Sequence, residues 1–244
     1  MKKHVPNLLT SLNLFSGCIA AVVALQADLS MLPWVLFWVI IAALFDFCDG
    51  FAARLLKAYS PIGKELDSLA DCISFGFVPA AVVFRVLQTQ VHIITNNQLL
   101  IDYLPYIAFL LAIFSALRLA KFNVDERQTE SFIGLNTPAN ALFWVSFCVG
   151  IMERTADGLM NFHSGLVYTI LVGVIVFSIL MVSELPMFSL KIKSLKFKDN
   201  IQRYFLAAFI LVLIPFAGYL SIAAGILLYI ALSIGNERFS ESEK

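Results

Sequence analysis

Charged side chains are scarce in this chain: Asp, Glu, Lys and Arg make up 14% of its 244 residues, against 60% hydrophobic. That shortage excludes an ordinary soluble domain, no nucleic-acid partner is expected, and the formal net charge of zero hides a strong asymmetry in where Lys and Arg fall. Paired cysteines are missing too. Cys18, Cys48, Cys72 and Cys148 form no C-x-x-C unit and have no nearby histidine, so they read as small apolar helix residues, not a disulfide set or zinc site. His4, His92 and His163 stand alone at or near segment ends, which speaks against histidine ligation. A cleavable leader is not expected, because Asn7, Thr10 and Asn13 interrupt the first apolar stretch and Phe15–Cys18 lacks the leucine of a lipoprotein site. No repeat or linker divides the chain.

What the chain does have is long apolar runs, at about 8–27, 32–55, 63–88, 100–122, 135–152, 164–185 and 203–235. Several reach the roughly 20 residues a helix needs to cross a bilayer. The last is too long for one ordinary span, and Pro215–Gly218 divides it into either a kinked helix or a hairpin of two short helices. The expected fold is therefore all-α: a polytopic transmembrane helical bundle of six spans plus that C-terminal kinked helix or helical hairpin. It reads as a single transmembrane domain over residues 1–236 with a polar tail, 237–244, expected to be disordered.

Lys and Arg fall in alternate connections. Lys2 and Lys3 precede the first run, Arg54, Lys57 and Lys64 follow the second, and Arg118, Lys121 and Arg127 follow the fourth. Lys191, Lys193, Lys196, Lys198 and Arg203 follow the sixth. The opposite connections are nearly bare: 88–100 has no Lys or Arg, and 153–164 has only Arg154. The bias predicts a multi-pass inner-membrane protein with its N-terminus and the 54–64 connection in the cytoplasm. The lysines of 191–198 serve that orientation or, alternatively, form a patch for anionic lipid.

Against this apolar background four aspartates stand out. Asp46, Asp49, Gly50 and Ala53 recur at i, i+3, i+4 and i+7, and Gly63, Asp67 and Asp71 at i, i+4 and i+8, so each set lies on one helix face. The short connection 55–62 makes the two helices antiparallel neighbours. Counting from either side of it places Asp46 and Asp71 at matching depth, about 12 Å inside the cytoplasmic boundary. Each buried charge costs about 2.5 kcal/mol or more at the bilayer centre, and four together repel. Only Arg54 and Lys64 lie close enough in sequence to pair with them. Two hard divalent cations would compensate, and all-oxygen ligation without His or Cys favours Mg²⁺ or Mn²⁺. Gly50, Ala53 and Gly63 leave room for a bulky group, and Arg54 offers a planar fork suited to phosphate. Neighbouring metals suit in-line phosphoryl displacement; an ion path for a divalent-cation transporter is the competing reading.

These residues resemble the signature of the CDP-alcohol phosphatidyltransferase family, D-x-x-D-G-x-x-A-R followed by G-x-x-x-D-x-x-x-D, at Asp46, Asp49, Gly50, Ala53, Arg54, Gly63, Asp67 and Asp71. Glu65–Ala80, Pro6–Asn13, Ala116–Asn123 and Phe132–Leu135 are similar to the family's phosphatidylserine synthase branch, with Lys121 where that branch often has Arg. The resemblance implies transfer of a phosphatidyl group from CDP-diacylglycerol to L-serine, giving phosphatidylserine and CMP. It implies that Asp46, Asp49, Asp67 and Asp71 ligate two metal ions, that Asp71 is also the general base, and that Gly50, Ala53, Arg54 and Gly63 border the CDP moiety. A sibling enzyme using glycerol phosphate or inositol phosphate is the alternative, and a homodimer is the family's usual state. For serine, Arg118 is the candidate carboxylate ligand, with Lys121 and Asn123 close behind; the other reading makes Arg118 and Lys121 interfacial anchors. Asn7, Thr10 and Asn13 form a polar stripe that touches nucleotide or bonds to neighbouring helices. Pro79 and Pro138 suggest bends, and the short, undecorated chain suggests a bacterial protein.

Overall fold

The computed structural model describes residues 4–26, 28–125, 132–187 and 200–242. Lys2, Lys3, Arg127 and the lysines of the 191–198 segment lie outside the described residues. The fold is all-α. Helices α1 (His4–Gln26) and α2 (Leu32–Leu55) pack as a close pair, followed by α3 (Pro61–Asp71), α4 (Val78–Gln90), α5 (Gln98–Tyr103) and α6 (Leu110–Val124). Then come α7 (Thr137–Ala156), α8 (Ser164–Val182), α9 (Ile201–Ala217) and α10 (Leu220–Ser242). Among the described residues, five helical stretches are long and apolar enough to cross a membrane: His4–Gln26, Leu29–Leu55, Pro61–Ile93, Gln98–Val124 and Ser164–Val182. They carry large apolar side chains on their outer surfaces, such as Trp34, Phe37, Leu44 and Phe51 of α2, as lipid-facing helices do. The chain is thus a multi-pass membrane protein. The fifth expected span, α7, is not among the five, because Asn140, Glu153 and Arg154 shorten its apolar stretch, yet more than half of it is buried.

Local chemistry explains the breaks. Ser60 caps α3, its Oγ accepting from Gly63 N at 3.0 Å, with Pro61 in the first turn where no N–H is needed. Between α3 and α4 the helix widens into a π-segment, Cys72–Phe77, just before Pro79, whose ring nitrogen has no proton to continue the α pattern. At Pro79, where a bend was expected, the helix instead shows this widening. At Pro138 there is instead a helix start: Asn136 caps α7 by accepting from Ala139 N at 2.8 Å, and proline fits the first turn as well as it fits a kink. Pro105 introduces a 3₁₀ stretch, Leu104–Phe109, into the fourth expected span.

The C-terminal run forms a hairpin, not one kinked helix. Gly218, at φ +54°, turns the chain between α9 and α10, and Arg154 Nη2 donates to the Phe216 carbonyl at the turn. Pro215 lies inside α9 without ending it. The tail expected to be disordered continues α10 as far as Ser242. A two-residue antiparallel ladder pairs Phe132 with Met187 and Ile133 with Pro186, closing the connection after α6 on that after α8. Gly134 beside it has φ +75°, and a Cβ there would sit 2.6 Å from the Met181 carbonyl oxygen.

The core is apolar and continuous. Phe143 and Phe177 stack with centroids 4.1 Å apart between α7 and α8, with Trp144 edge-on to both. On α1, Ser16, Gly17, Ala20, Ala21 and Ala24 are buried, and their small size lets neighbouring backbones approach. A Cβ on Gly17 would press into the Ser74 side chain and lie 2.9 Å from its Cα. Gly17→Val should therefore destabilise the bundle by about 1–3 kcal/mol, the usual cost of overpacking. A lowered thermal midpoint in detergent is the expected reading, and an unchanged midpoint would show that α1 yields at no cost.

Candidate active site

The site forms where α1, α2 and α3 meet. The turn after α2 sends the chain back along it, and the two acidic faces converge. Asp46, Asp49 and Asp67 each offer a carboxylate oxygen, all within 4.8 Å of one another. Asp71, one turn further along α3, has Asp46, Asp67 and Asp49 as its acidic neighbours. Asp49 and Asp71 are 6% and 8% exposed, so water does little to screen them. Two like charges at that spacing repel by about 3.5 kcal/mol at an effective dielectric near 20. A divalent cation between them turns that repulsion into attraction, and the all-carboxylate donor set is one that hard cations prefer. The cluster can hold a metal ion.

Helix α1 orients two of these acids. Thr10 Oγ1 donates to Asp49 Oδ2 at 2.6 Å, and Asn13 Nδ2 donates to Asp71 Oδ1 at 3.1 Å. Ser74 Oγ, in the π-segment, donates to the Asn13 carbonyl at 3.1 Å and holds α1 against it. Thr10 and Asn13 thus both bond to side chains of neighbouring helices. Asn7 approaches Gly63: a Cβ there would lie 3.0 Å from Asn7 Oδ1 and 2.9 Å from Ser60 Oγ. Gly63 thus makes room for α1 and for its own cap. Gly50 differs, since a Cβ there meets nothing within 4 Å; the space before it is open. Ala53 is half-buried beside it, and Arg54 is exposed at the end of α2.

The three residues considered for serine separate. Arg118 is only 7% exposed, so it does not snorkel to an interface. Its guanidinium carbon lies 5.4 Å from the centroid of the Phe122 ring, and its Nε has no hydrogen-bond partner among the described residues. Its electrostatic neighbours are Asp71, Tyr229 and Asp46. Lys121 instead donates to the Val182 carbonyl at 3.3 Å and faces Glu184 at 3.9 Å, near the surface. Asn123 Nδ2 donates to Ser68 Oγ at 2.9 Å, and its carbonyl accepts from Lys64 Nζ at 2.9 Å. Both tie α6 to neighbouring segments.

Several buried polar groups on α10 and at the start of α7 escaped sequence reasoning. Tyr229 of α10 is fully buried, acts electrostatically on Arg118 and shares a hydrogen bond with the Asn136 side chain. Thr137 and Asn140, at the start of α7, are fully buried as well. The spacing Asn136, Thr137, Asn140 within an otherwise apolar run was the available signal; a single tyrosine in an apolar helix offers none.

A family model described as CDP-alcohol phosphatidyltransferase matches residues 3–182. The chain is similar to the CDP-diacylglycerol–serine O-phosphatidyltransferase of Helicobacter pylori (strain J99), 30% identical over 212 residues, covering 86% of this chain and 80% of the relative. It is similar to the Bacillus subtilis protein of that name, 30% identical over 161 residues, 64% of this chain and 79% of the relative. The Saccharomyces cerevisiae protein of that name is 36% identical over 186 residues, 66% of this chain and 63% of the relative.

Proposed function

Because this chain belongs to the CDP-alcohol phosphatidyltransferase family, we propose that it transfers the phosphatidyl group of CDP-diacylglycerol to the hydroxyl of L-serine, giving phosphatidylserine and CMP. The convergence of Asp46, Asp49 and Asp67 beside Asp71 carries this reading, and the names of the relatives support serine as the acceptor.

Asp46, Asp49, Asp67 and Asp71 would hold two divalent ions, Mg²⁺ or Mn²⁺. Bound there, the ions would neutralise the diphosphate and stabilise the charge on the leaving oxygen. Thr10 keeps Asp49 turned toward the cluster through its 2.6 Å bond. The open space before Gly50, bordered by Ala53 and Arg54, takes the CDP moiety, and Arg54 adds a fork for phosphate. Gly63 and Asn7 let α1 come close to α3, on which two of the acids stand.

Asn13 holds one oxygen of Asp71, and the other accepts the proton of the serine hydroxyl. The serine oxygen attacks the phosphorus bearing diacylglycerol; its new P–O bond replaces the bond to the bridging oxygen, which departs on CMP. Positioning and preorganised charge supply most of the rate. Arg118 pairs with the serine carboxylate, while Lys121 and Asn123 steady the helix that carries it. Under this reading the protein is a homodimer in a bacterial inner membrane with its acids toward the cytoplasm, an orientation supported by the Lys and Arg bias.

Purified protein incubated with CDP-diacylglycerol, Mn²⁺ and one alcohol at a time tests the proposal. Serine should release CMP, while glycerol phosphate and inositol phosphate should release almost none. CMP release with either phosphate and none with serine would make the protein a sibling enzyme; none with any alcohol would favour an ion path.

A further inference from the structure

We propose that the C-terminal hairpin completes the acceptor site: Tyr229 of α10 is a positioning residue for Arg118, and Thr137 and Asn140 of α7 give hydrogen bonds to the amino-acid headgroup that Arg118 binds. This rests on the serine reading above and extends it to helices on which that reading did not draw. The family match ends at residue 182, and Tyr229 lies well beyond it.

Three observations lead there. Tyr229 is fully buried, interacts electrostatically with Arg118 of α6 and shares a hydrogen bond with Asn136 at the cap of α7. A buried phenol oxygen is usually placed by its partners, and here those partners link three helices to one guanidinium. Arg118, in turn, has Asp71 as a neighbour, so whatever it binds lies beside the proposed base.

The second observation is an unmet demand. The Thr137 hydroxyl and both amide atoms of Asn140 have no hydrogen-bond partner among the described residues, although both residues are fully buried. Leaving such groups unpaired is costly, by about 1–3 kcal/mol each, so their presence calls for a polar occupant. The third is chemical fit. Thr137 and Asn140 lie in the first turns of α7, where the partial positive charge of the helix start favours an anionic group. A zwitterionic amino acid offers what this set lacks: carboxylate oxygens for Arg118 Nε, the Thr137 hydroxyl and the Asn140 Nδ2, and an ammonium for the Asn140 Oδ1.

Helix α10 is held where this requires. A Cβ on Gly150 of α7 would lie 2.9 Å from the Leu220 backbone nitrogen, so the two helices touch at the start of α10. Tyr229 lies further along the same helix.

Tyr229→Phe tests the proposal, since it removes one hydroxyl and keeps the ring. The serine KM should rise about tenfold, while kcat and the CDP-diacylglycerol KM stay within about twofold, a split that a general loss of structure does not produce. An unchanged serine KM, or an equal rise in both KM values, overturns it. Should that variant not fold, Asn140→Asp decides, because it keeps the size and sets a negative charge against the carboxylate. Its serine KM should rise more than tenfold with the CDP-diacylglycerol KM unmoved, and an unchanged serine KM overturns the proposal. The two readings fail separately. Wild-type protein that releases no CMP with serine removes the serine assignment, whereas serine-dependent release with an unaltered serine KM in the variant removes only this inference.

Discussion

Asp71→Asn should lower serine-dependent CMP release by about 10³-fold, within the 10²–10⁴-fold range of a positioned general base. The substitution keeps the volume and the oxygen to which Asn13 Nδ2 donates, 3.1 Å away, so the local frame should stand. What it removes is the oxygen able to take the serine proton. Three further acids, Asp46, Asp49 and Asp67, remain, so binding of the CDP-lipid should change little. Single-turnover CMP release and equilibrium binding of a labelled CDP-lipid give the two readings. Activity within tenfold of wild type would take the base role from Asp71, and loss of binding in step with turnover would make it a ligand only.

Removal of divalent ions should have an effect as large. Chelation is expected to abolish turnover, and Mn²⁺ or Mg²⁺ to restore it. A readout independent of catalysis comes from stability, because an ion that binds only the folded state at a hundred times its Kd adds about 2.7 kcal/mol. The thermal midpoint of wild-type protein should rise with Mn²⁺, while Asp49→Asn and Asp67→Asn, which each remove a carboxylate from the cluster, should lose that rise. With fewer like charges to hold together, the metal-free variants should be no less stable than metal-free wild type. If Mn²⁺ stabilises Asp67→Asn as it does wild type, the ion binds elsewhere.

The acidic site was legible because its elements are local. Asp46 and Asp49 share a face through helical spacing alone, as do Asp67 and Asp71, and a short connection leaves their helices little choice but to meet. Other features depended on partners far away in the chain. Pro215 and Gly218 permit a kink or a hairpin equally well, and the choice between them involves Arg154 at the turn and Gly150 against Leu220, contacts no local pattern displays. Lys121 and Asn123 were considered with Arg118 because all three are polar and close in sequence, yet helical rotation sends them to different neighbours. Pro138 was misread for a simpler reason: the same ring that bends a helix in its middle starts one at its end. Tyr229 was invisible, one aromatic among many in an apolar run.

The widened turn at Cys72–Phe77 separates two duties along one rod. Below it, α3 aims acids; above it, α4 fills the core with Val78, Ala81, Val82 and Val86. A π-turn holds about one residue more than an α-turn, so loss of one residue there would close it to an ordinary helix and leave both halves seated. A one-residue shortening at that place would thus be absorbed where it occurs, and the direction of the acids on α3 would outlast it.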